Sequence, residues 1–104
     1  MFADDLGEVV ATRTLSLING ESRKEVTVLL GKPRKLSNSQ DYTCVVQIRG
    51  LGNEKPRSIV GVDAIQAIQL ALAFIGVELR AHAQSGVHIQ WEGAEEGELG
   101  FPVP

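Results

Sequence analysis

Residues 63–77 read DAIQAIQLALAFIGV, an aspartate followed by fourteen residues without a formal charge. Asp63 is a good helix N-cap, because its carboxylate can accept hydrogen bonds from the free N–H groups of the first turn. Gln66 stands three residues later, where its side chain can reach back to the cap. Gly86 suits a left-handed C-terminal turn. These signals predict a helix over about residues 64–83.

The predicted helix is apolar on more than one side. At about 100° per residue, one face carries Ile65, Ile68, Leu72, Ile75 and Leu79. A second stripe, Leu70, Phe74 and Val77, falls almost opposite. We expect the first face to pack on a sheet. Burying a large apolar side chain contributes about 1.5–3 kcal/mol, so the second stripe needs a cover as well, either the C-terminal segment with Phe101 or a second copy of the protein.

A membrane is the least favoured cover for this helix. A membrane-spanning helix needs about 20 apolar residues, and the uncharged run is shorter than that. Gln66 and Gln69 also interrupt it. We therefore expect no association with a membrane.

The chain on both sides of the helix alternates between apolar and polar residues, which is typical of half-buried strands. Asn19-Gly20 predicts a tight hairpin turn between the first two strands. Pro33 ends the second strand, because proline cannot donate to a strand ladder. The predicted strands lie at about residues 11–17, 26–30, 42–48, 57–62 and 87–91.

The element order β-β-β-β-α-β predicts an α+β fold, in which an antiparallel sheet of about four to five strands carries one long helix on one face. Polar residues at alternate strand positions predict that the other face is exposed to water. Arg13 does not fit, because its parity places it among the core residues Ala11 and Leu15. A strand end, a bulge or a buried partner would each account for it.

Length and composition indicate one folded domain. The chain has 104 residues, 43% hydrophobic and 22% charged, so we expect a single domain over residues 1–104. Residues 93–104 are rich in Glu, Gly and Pro and predict an irregular tail. The N-terminus lacks the pattern of a secretory signal, and the single cysteine, Cys44, suits a reducing compartment. We therefore expect a cytoplasmic protein.

Charge is distributed unevenly along the chain. The net charge of −3 argues against general nucleic-acid binding, although residues 23–57 hold eight Lys or Arg against three acids. The loop cations in this stretch are Lys32, Arg34, Lys35, Lys55 and Arg57. Scattered solvated charges are the simpler interpretation. If both loops lie at the same end of the sheet, an anion such as a nucleotide or a phosphorylated metabolite could bind between them.

No local signature of catalysis or metal binding stands out in the sequence. His82, His88 and Cys44 do not have the spacing of metal ligands, and no Gly-x-Ser-x-Gly elbow is present. Residues 50–52 read Gly-Leu-Gly, but the third glycine of a dinucleotide fingerprint is missing. We expect no catalytic residues, no metal and no cofactor, and the balance favours a non-enzymatic protein over an enzyme.

Several short phrases together resemble a family of small bacterial proteins whose function is unknown. They are Gly31-Lys32-Pro33, Asp41-Tyr42-Thr43-Cys44, Ile48-Arg49-Gly50-Leu51-Gly52, Gly61-Val62-Asp63-Ala64-Ile65-Gln66-Ala67, Leu70-Ala71-Leu72 and Leu99-Gly100-Phe101-Pro102. The similarity runs from about Gly7 to Pro102. The resemblance implies a bacterial origin and a stand-alone single domain, and it implies no activity, cofactor or site residue.

The sequence favours a non-enzymatic protein-interaction module that self-associates through Leu70, Phe74 and Val77, because exposed apolar patches mark contact surfaces. The expected partner is a second copy or another protein. The alternative is a domain that binds a small anionic ligand, a nucleotide or a phosphate metabolite, at the five loop cations.

Overall fold

A six-stranded antiparallel sheet and one long helix make up the protein. A computed structural model describes residues 5–83, 87–95 and 97–102. The elements are β1 Val9–Asn19, β2 Ser22–Gly31, β3 Arg34–Lys35, β4 Tyr42–Arg49, β5 Arg57–Gly61, α1 Ala64–Ala83 and β6 His88–Gln90. The predicted α+β fold is confirmed, and the two-residue strand β3 adds to the predicted order.

The sheet begins with the β1–β2 hairpin, which turns at Gly20 with a φ of 63° that glycine adopts without strain. β2 and β5 both pair with Val46, and β3 and β5 both pair with Thr43. Since a strand has two edges, β2 and β3 lie along the same edge of β4, on either side of the interruption at Pro33. The order across the sheet is therefore β5, β4, β2 with β3, β1 and β6.

One half of β1 forms an edge of the sheet, because β6 pairs only with the residues from Ser16 to Ile18. The register of β1 shifts between Val9 and Ala11, which marks a bulge, and the charged Arg13 sits at an inward-facing position. A bulge and an inward-pointing charge are two features by which edge strands resist pairing with another chain. This edge is therefore a poor site for strand addition.

The start of the helix is capped as the sequence predicts. The Gln66 N–H donates to Asp63 Oδ1 (2.8 Å), and the Val62 N–H donates to the Gln66 side-chain oxygen (2.8 Å). These bonds satisfy two backbone donors at the helix start. The helix ends at Ala83, and the predicted C-terminal turn at Gly86 lies outside the described residues.

The helix faces the sheet with most of the predicted residues, since Ile75 and Leu79 are buried and Ile68 and Leu72 pack against the core, but Ile65 is an exception. The completely buried residues of α1 are Ala67, Ala71, Ile75 and Leu79. Ile65, predicted to face the sheet, is 65% exposed. The reason is the close approach of β5 to the first helical turn, since a Cβ on Gly61 would lie 2.5 Å from the Ala67 nitrogen. The small Ala67 permits that contact, and Ile65 is turned outward.

The sheet face away from the helix is covered at its centre. Leu29 and Val45 are buried there, although alternation predicted an exposed face. The chain before β1 crosses this face at Gly31, where a Cβ would lie 2.5 Å from the Leu6 carbonyl oxygen. Arg34 Nη2 donates to the Asp5 carbonyl (2.6 Å) and holds this segment in place. The expectation of a wholly exposed face is therefore wrong at its centre.

The helix α1 also has the length and apolar composition to cross a membrane. The whole helix is longer than the uncharged run on which the sequence argument was based. One such helix is weak evidence, because the core helix of a soluble protein has the same properties. In this fold α1 packs lengthwise against β4 and β5, and the expectation of no membrane association stays a prediction.

Candidate functional site

The outward side of α1 carries exposed apolar side chains. Leu70 and Val77 lie seven residues apart, about two helical turns, and are 44% and 47% exposed. Ala73 lies between them, and no charged residue occurs from Ala64 to Val77. We call Leu70, Ala73 and Val77 the outer helix surface.

Phe74 does not lie on the outer helix surface. It is half-buried and packs against the hydrophobic core, beside the β4–β5 side of the sheet. The guanidinium carbon of Arg57 lies 5.0 Å from the centroid of its ring. Phe74 follows Leu70 by four residues and adjoins it on the helix, but it is half-buried against the core, whereas Leu70 and Val77 are exposed.

The C-terminal segment, residues 97–102, contacts the opposite flank of the helix. A Cβ on Gly76 would lie 2.9 Å from the Pro102 carbonyl oxygen and 3.3 Å from the Phe101 Cβ. Leu99 inserts into the core and is buried. Gly76 is turned by about 120° around the helix axis from Leu70. The described part of this segment therefore covers the Gly76 flank, and Leu70 and Val77 stay exposed.

Two arginines hold the backbone of the C-terminal segment. Arg13 Nη1 donates to the Gly100 carbonyl (2.8 Å) and lies 3.4 Å from the Leu99 carbonyl. Arg80 donates to the next two carbonyls along the chain, those of Phe101 (3.1 Å) and Pro102 (3.2 Å). Four successive carbonyls are thus bound by two side chains. The structure therefore gives Arg13 partners in the C-terminal segment, in addition to the bulge between Val9 and Ala11.

Arg13 also lies between two aromatic rings. Its guanidinium carbon is 3.9 Å from the centroid of Trp91 and 4.9 Å from that of Phe101. Cation–π contacts at such distances stabilise by about 0.5–2 kcal/mol each. The sequence showed Arg13 as a misfit but could not name its partners, because they lie at the far end of the chain.

A small apolar cavity lies beneath the C-terminal segment. Its volume is about 180 Å³, and α1, β1, β2 and residues 100–102 enclose it. Arg13 and Thr12 are its polar lining, and the remaining side chains are apolar, among them Leu72 and Phe101. The guanidinium of Arg13 already contacts two carbonyls and two rings. The cavity therefore has space for an apolar group but few polar groups that could bind or activate a ligand.

The five loop cations are spread along β4. Lys35 pairs with Tyr42 at the start of β4, whereas Arg57 pairs with Val46, four residues further along. At about 3.3 Å per residue this separation is about 13 Å along the strand. Arg34 pairs with Thr43 on the sheet face away from the helix. The structure therefore does not bring the five cations into one site.

Lys55 and Arg57 instead line a cleft between the β4–β5 hairpin and the C-terminal half of α1, which we call the hairpin cleft. Its volume is about 120 Å³. Glu78 and His82 contribute from the helix and Asn53 from the hairpin loop. The apolar lining consists of Val46, Ile48, Leu51 and Phe74. Sequence reasoning chose the two hairpin cations but missed the helical residues, because only the packing of α1 on β4 and β5 brings them together.

The remaining reactive side chains offer no catalytic arrangement. Within residues 5–83, 87–95 and 97–102, no three His, Cys, Asp or Glu side chains are grouped as metal ligands would be. Cys44 is completely buried, and this burial raises the pKa of its thiol. The thiol donates to the Gly31 carbonyl (3.4 Å). Since the thiolate is the nucleophilic form, Cys44 has the environment of an inert core cysteine.

Comparison with known proteins gives a family and no function. The sequence profile described as a domain of unknown function, DUF6968, matches residues 11–103 of this chain. No curated protein and no solved structure matches it. The expected resemblance to a small single-domain family of unknown function is confirmed, while the bacterial origin stays a prediction. The match spans nearly the whole chain, and the protein therefore belongs to the DUF6968 family.

Proposed function

We propose that this protein is a non-enzymatic interaction module that self-associates through the outer helix surface. The observation that carries the proposal is the exposure of Leu70 and Val77 on one side of a helix whose residues from Ala64 to Val77 carry no charge. Apolar surface left open on a core helix is a common mark of a contact site. The described part of the C-terminal segment lies on the other flank and does not compete for it.

A second copy fits this surface for an electrostatic reason. In a two-fold symmetric contact, each residue near the axis meets the same residue of the partner. A charged surface would therefore repel its copy, whereas the outer helix surface carries no charge to repel. Ala73, between Leu70 and Val77, is small enough to let two helices approach within the usual 8–10 Å of each other.

The apolar area predicts a weak dimer. Leu70 and Val77 are already about half-buried, so pairing would gain roughly half of the 1.5–3 kcal/mol that each full burial contributes. Four such side chains in a symmetric pair give about 3–6 kcal/mol, close to the lower estimates of the about 4–15 kcal/mol lost on association. We therefore expect a dimer that depends on protein concentration.

Light scattering over a series of concentrations tests the proposal. The unmodified protein should change from monomer toward dimer as its concentration rises, and Leu70→Glu and Val77→Glu should remain monomeric. Gln69→Glu, an exposed substitution on the same helix but outside the outer helix surface, is the matched control and should dimerise normally. A protein that stays monomeric at all concentrations, or a dimer that survives Leu70→Glu, would refute the proposal.

The alternative, binding of a nucleotide or a phosphate metabolite by all five loop cations, has less support. Lys35 and Arg57 pair with β4 residues that lie four positions apart, and Arg34 already donates to the Asp5 carbonyl. Lys35 lines a different surface pocket from Lys55 and Arg57. Only Lys55 and Arg57 remain as neighbouring cations in a common cleft.

A further inference from the structure

The hairpin cleft carries opposite charges on its two walls. Lys55 and Arg57 stand on the β5 side, and Glu78 stands on the helix side. No ion pair joins Glu78 to either cation within the described part of the chain. Arg57 has an aromatic ring for a neighbour in place of a carboxylate. Two cations and one anion thus line one cleft without a direct ion pair among them in the described residues.

The position of Arg57 keeps its charge beside the cleft. Arg57 pairs with the buried Val46, so its side chain starts on the helix-facing side of the sheet. Its guanidinium lies over the ring of Phe74, and Glu78 follows Phe74 by four residues, one turn along the same side of α1. A ring beneath the guanidinium leaves its N–H edge free to donate two parallel hydrogen bonds to a carboxylate.

The size of the cleft limits its ligand. A volume of about 120 Å³ is close to that of cavities which take up one small organic molecule, and it favours a small ligand. A simple anion would be attracted by Arg57 and Lys55 but repelled by Glu78. A simple cation would be attracted by Glu78 but repelled by the two basic side chains.

We propose that the hairpin cleft binds a small zwitterion, of the class of free α-amino acids with a short side chain. The ligand carboxylate accepts from Arg57 and Lys55, and its ammonium group donates to Glu78. Its short aliphatic side chain rests on the apolar lining formed by Ile48, Leu51 and Phe74. Such a ligand pairs with the cations on one wall and with Glu78 on the other. A ligand with a single charge can pair with only one of the two walls. This site is separate from the outer helix surface, so the proposal does not depend on self-association.

An NMR titration of the ¹⁵N-labelled full chain tests the site with four probes: L-alanine, acetate, methylammonium and inorganic phosphate. L-Alanine should shift amide resonances of residues 51–57 and 74–82, with a dissociation constant at least tenfold lower than that of acetate or methylammonium. Arg57→Gln should weaken alanine binding at least tenfold. Glu78→Gln should weaken alanine binding and strengthen acetate binding, because it removes the repulsion of the anion. Lys35→Gln, which removes a cation that lines a different surface pocket, is the matched control and should change nothing.

Three results would overturn the proposal. If none of the four probes shifts these resonances, the charges of the cleft are merely solvated. If acetate or phosphate binds as tightly as L-alanine, the cleft is a simple anion site and Glu78 has no part in recognition. If alanine binds equally well to Arg57→Gln, with both proteins folded by circular dichroism, the carboxylate is held elsewhere.

Discussion

Arg13 and Trp91 are in direct contact, with the guanidinium carbon 3.9 Å from the centroid of the indole ring. The contact joins the middle of β1 to the residue that follows β6, at the place where the C-terminal segment crosses the sheet. The same guanidinium donates to the Gly100 carbonyl. Arg13 therefore fixes the position of a segment that contains no helix or strand in its described residues.

Replacing Arg13 by Ala should destabilise the fold by about 2 kcal/mol, from the lost cation–π contacts and the lost hydrogen bond from a charged donor. Arg13→Lys should recover only part of this, because an ammonium group cannot stack on a ring and donate along its plane as guanidinium does. Urea unfolding followed by Trp91 fluorescence measures both variants. Arg23→Ala is the control, since its exposed ion pair with Glu92 should contribute less than about 1 kcal/mol. Equal effects of Arg13→Ala and Arg23→Ala would contradict the assigned role.

Phe74 and Leu70 should differ strongly in their contribution to stability. Phe74→Ala removes a half-buried ring from the core and should cost about 2 kcal/mol, below the 3–5 kcal/mol of a fully buried phenylalanine. Leu70→Ala changes an exposed side chain and should stay within about 0.5 kcal/mol. Chemical denaturation at low protein concentration separates this comparison from any effect of dimer formation. Similar losses for both variants would mean that the two residues share one buried stripe after all.

The sequence predicted those parts of the fold that depend on neighbouring residues. The cap at Asp63, the hairpin turn at Gly20 and the helix over residues 64–83 each follow from signals within a few positions. The exposure of Ile65 could not be predicted, because it follows from the contact of Gly61 with Ala67 across two different elements. A helical wheel places Ile65 and Ile75 on one face, and only the packing decides which of them is buried.

For the candidate sites too, the sequence indicated features within one element but not contacts between residues far apart in the chain. Leu70 and Val77 were assigned to one stripe, together with Phe74, from their helical spacing, and Lys55 and Arg57 were among five cations chosen because they lie in predicted loops. Glu78 was not connected with those cations, since 21 residues separate it from Arg57 in the sequence. The partners of Arg13 are farther still, at sequence separations of 86 and 87 residues for its two carbonyls. A periodic pattern in a single sequence cannot predict contacts between residues so far apart in the chain.

Thr43 should be replaceable by valine with a gain in stability. Its hydroxyl is buried on the sheet face away from the helix and has no hydrogen-bond partner within the described residues. A buried polar group without a partner costs about 1–3 kcal/mol, and valine has almost the same shape and favours strands. We expect Thr43→Val to raise the free energy of unfolding by about 1 kcal/mol in urea. Thr27→Val, on the same face but less buried, is the control and should have little effect. A loss of stability on Thr43→Val would mean that the hydroxyl is satisfied.

Cys44 should be unreactive in the folded protein and should make stability depend on pH at the alkaline end. Burial raises the pKa of its thiol above the value of 9.0 for a free cysteine. Above that value the unfolded chain loses the proton while the folded protein keeps it, so the free energy of unfolding should fall as pH rises through and beyond 9. Below pH 8 both states are protonated, and Cys44 should contribute no pH dependence.

The contribution of Cys44 can be isolated by a difference measurement. Tyrosine and lysine side chains also titrate at alkaline pH, so the unfolding free energies of the unmodified protein and Cys44→Ala should be compared from pH 7 to 10.5. The variant should be less stable at pH 7, because it leaves a small cavity, and the gap between the two proteins should narrow as the pH passes 9. A thiol reagent should label Cys44 in urea and leave the native protein unlabelled over the same period. Rapid labelling of the native protein, or a gap that stays constant with pH, would show that water reaches this thiol and that its environment is not the closed core seen between β4 and the helix.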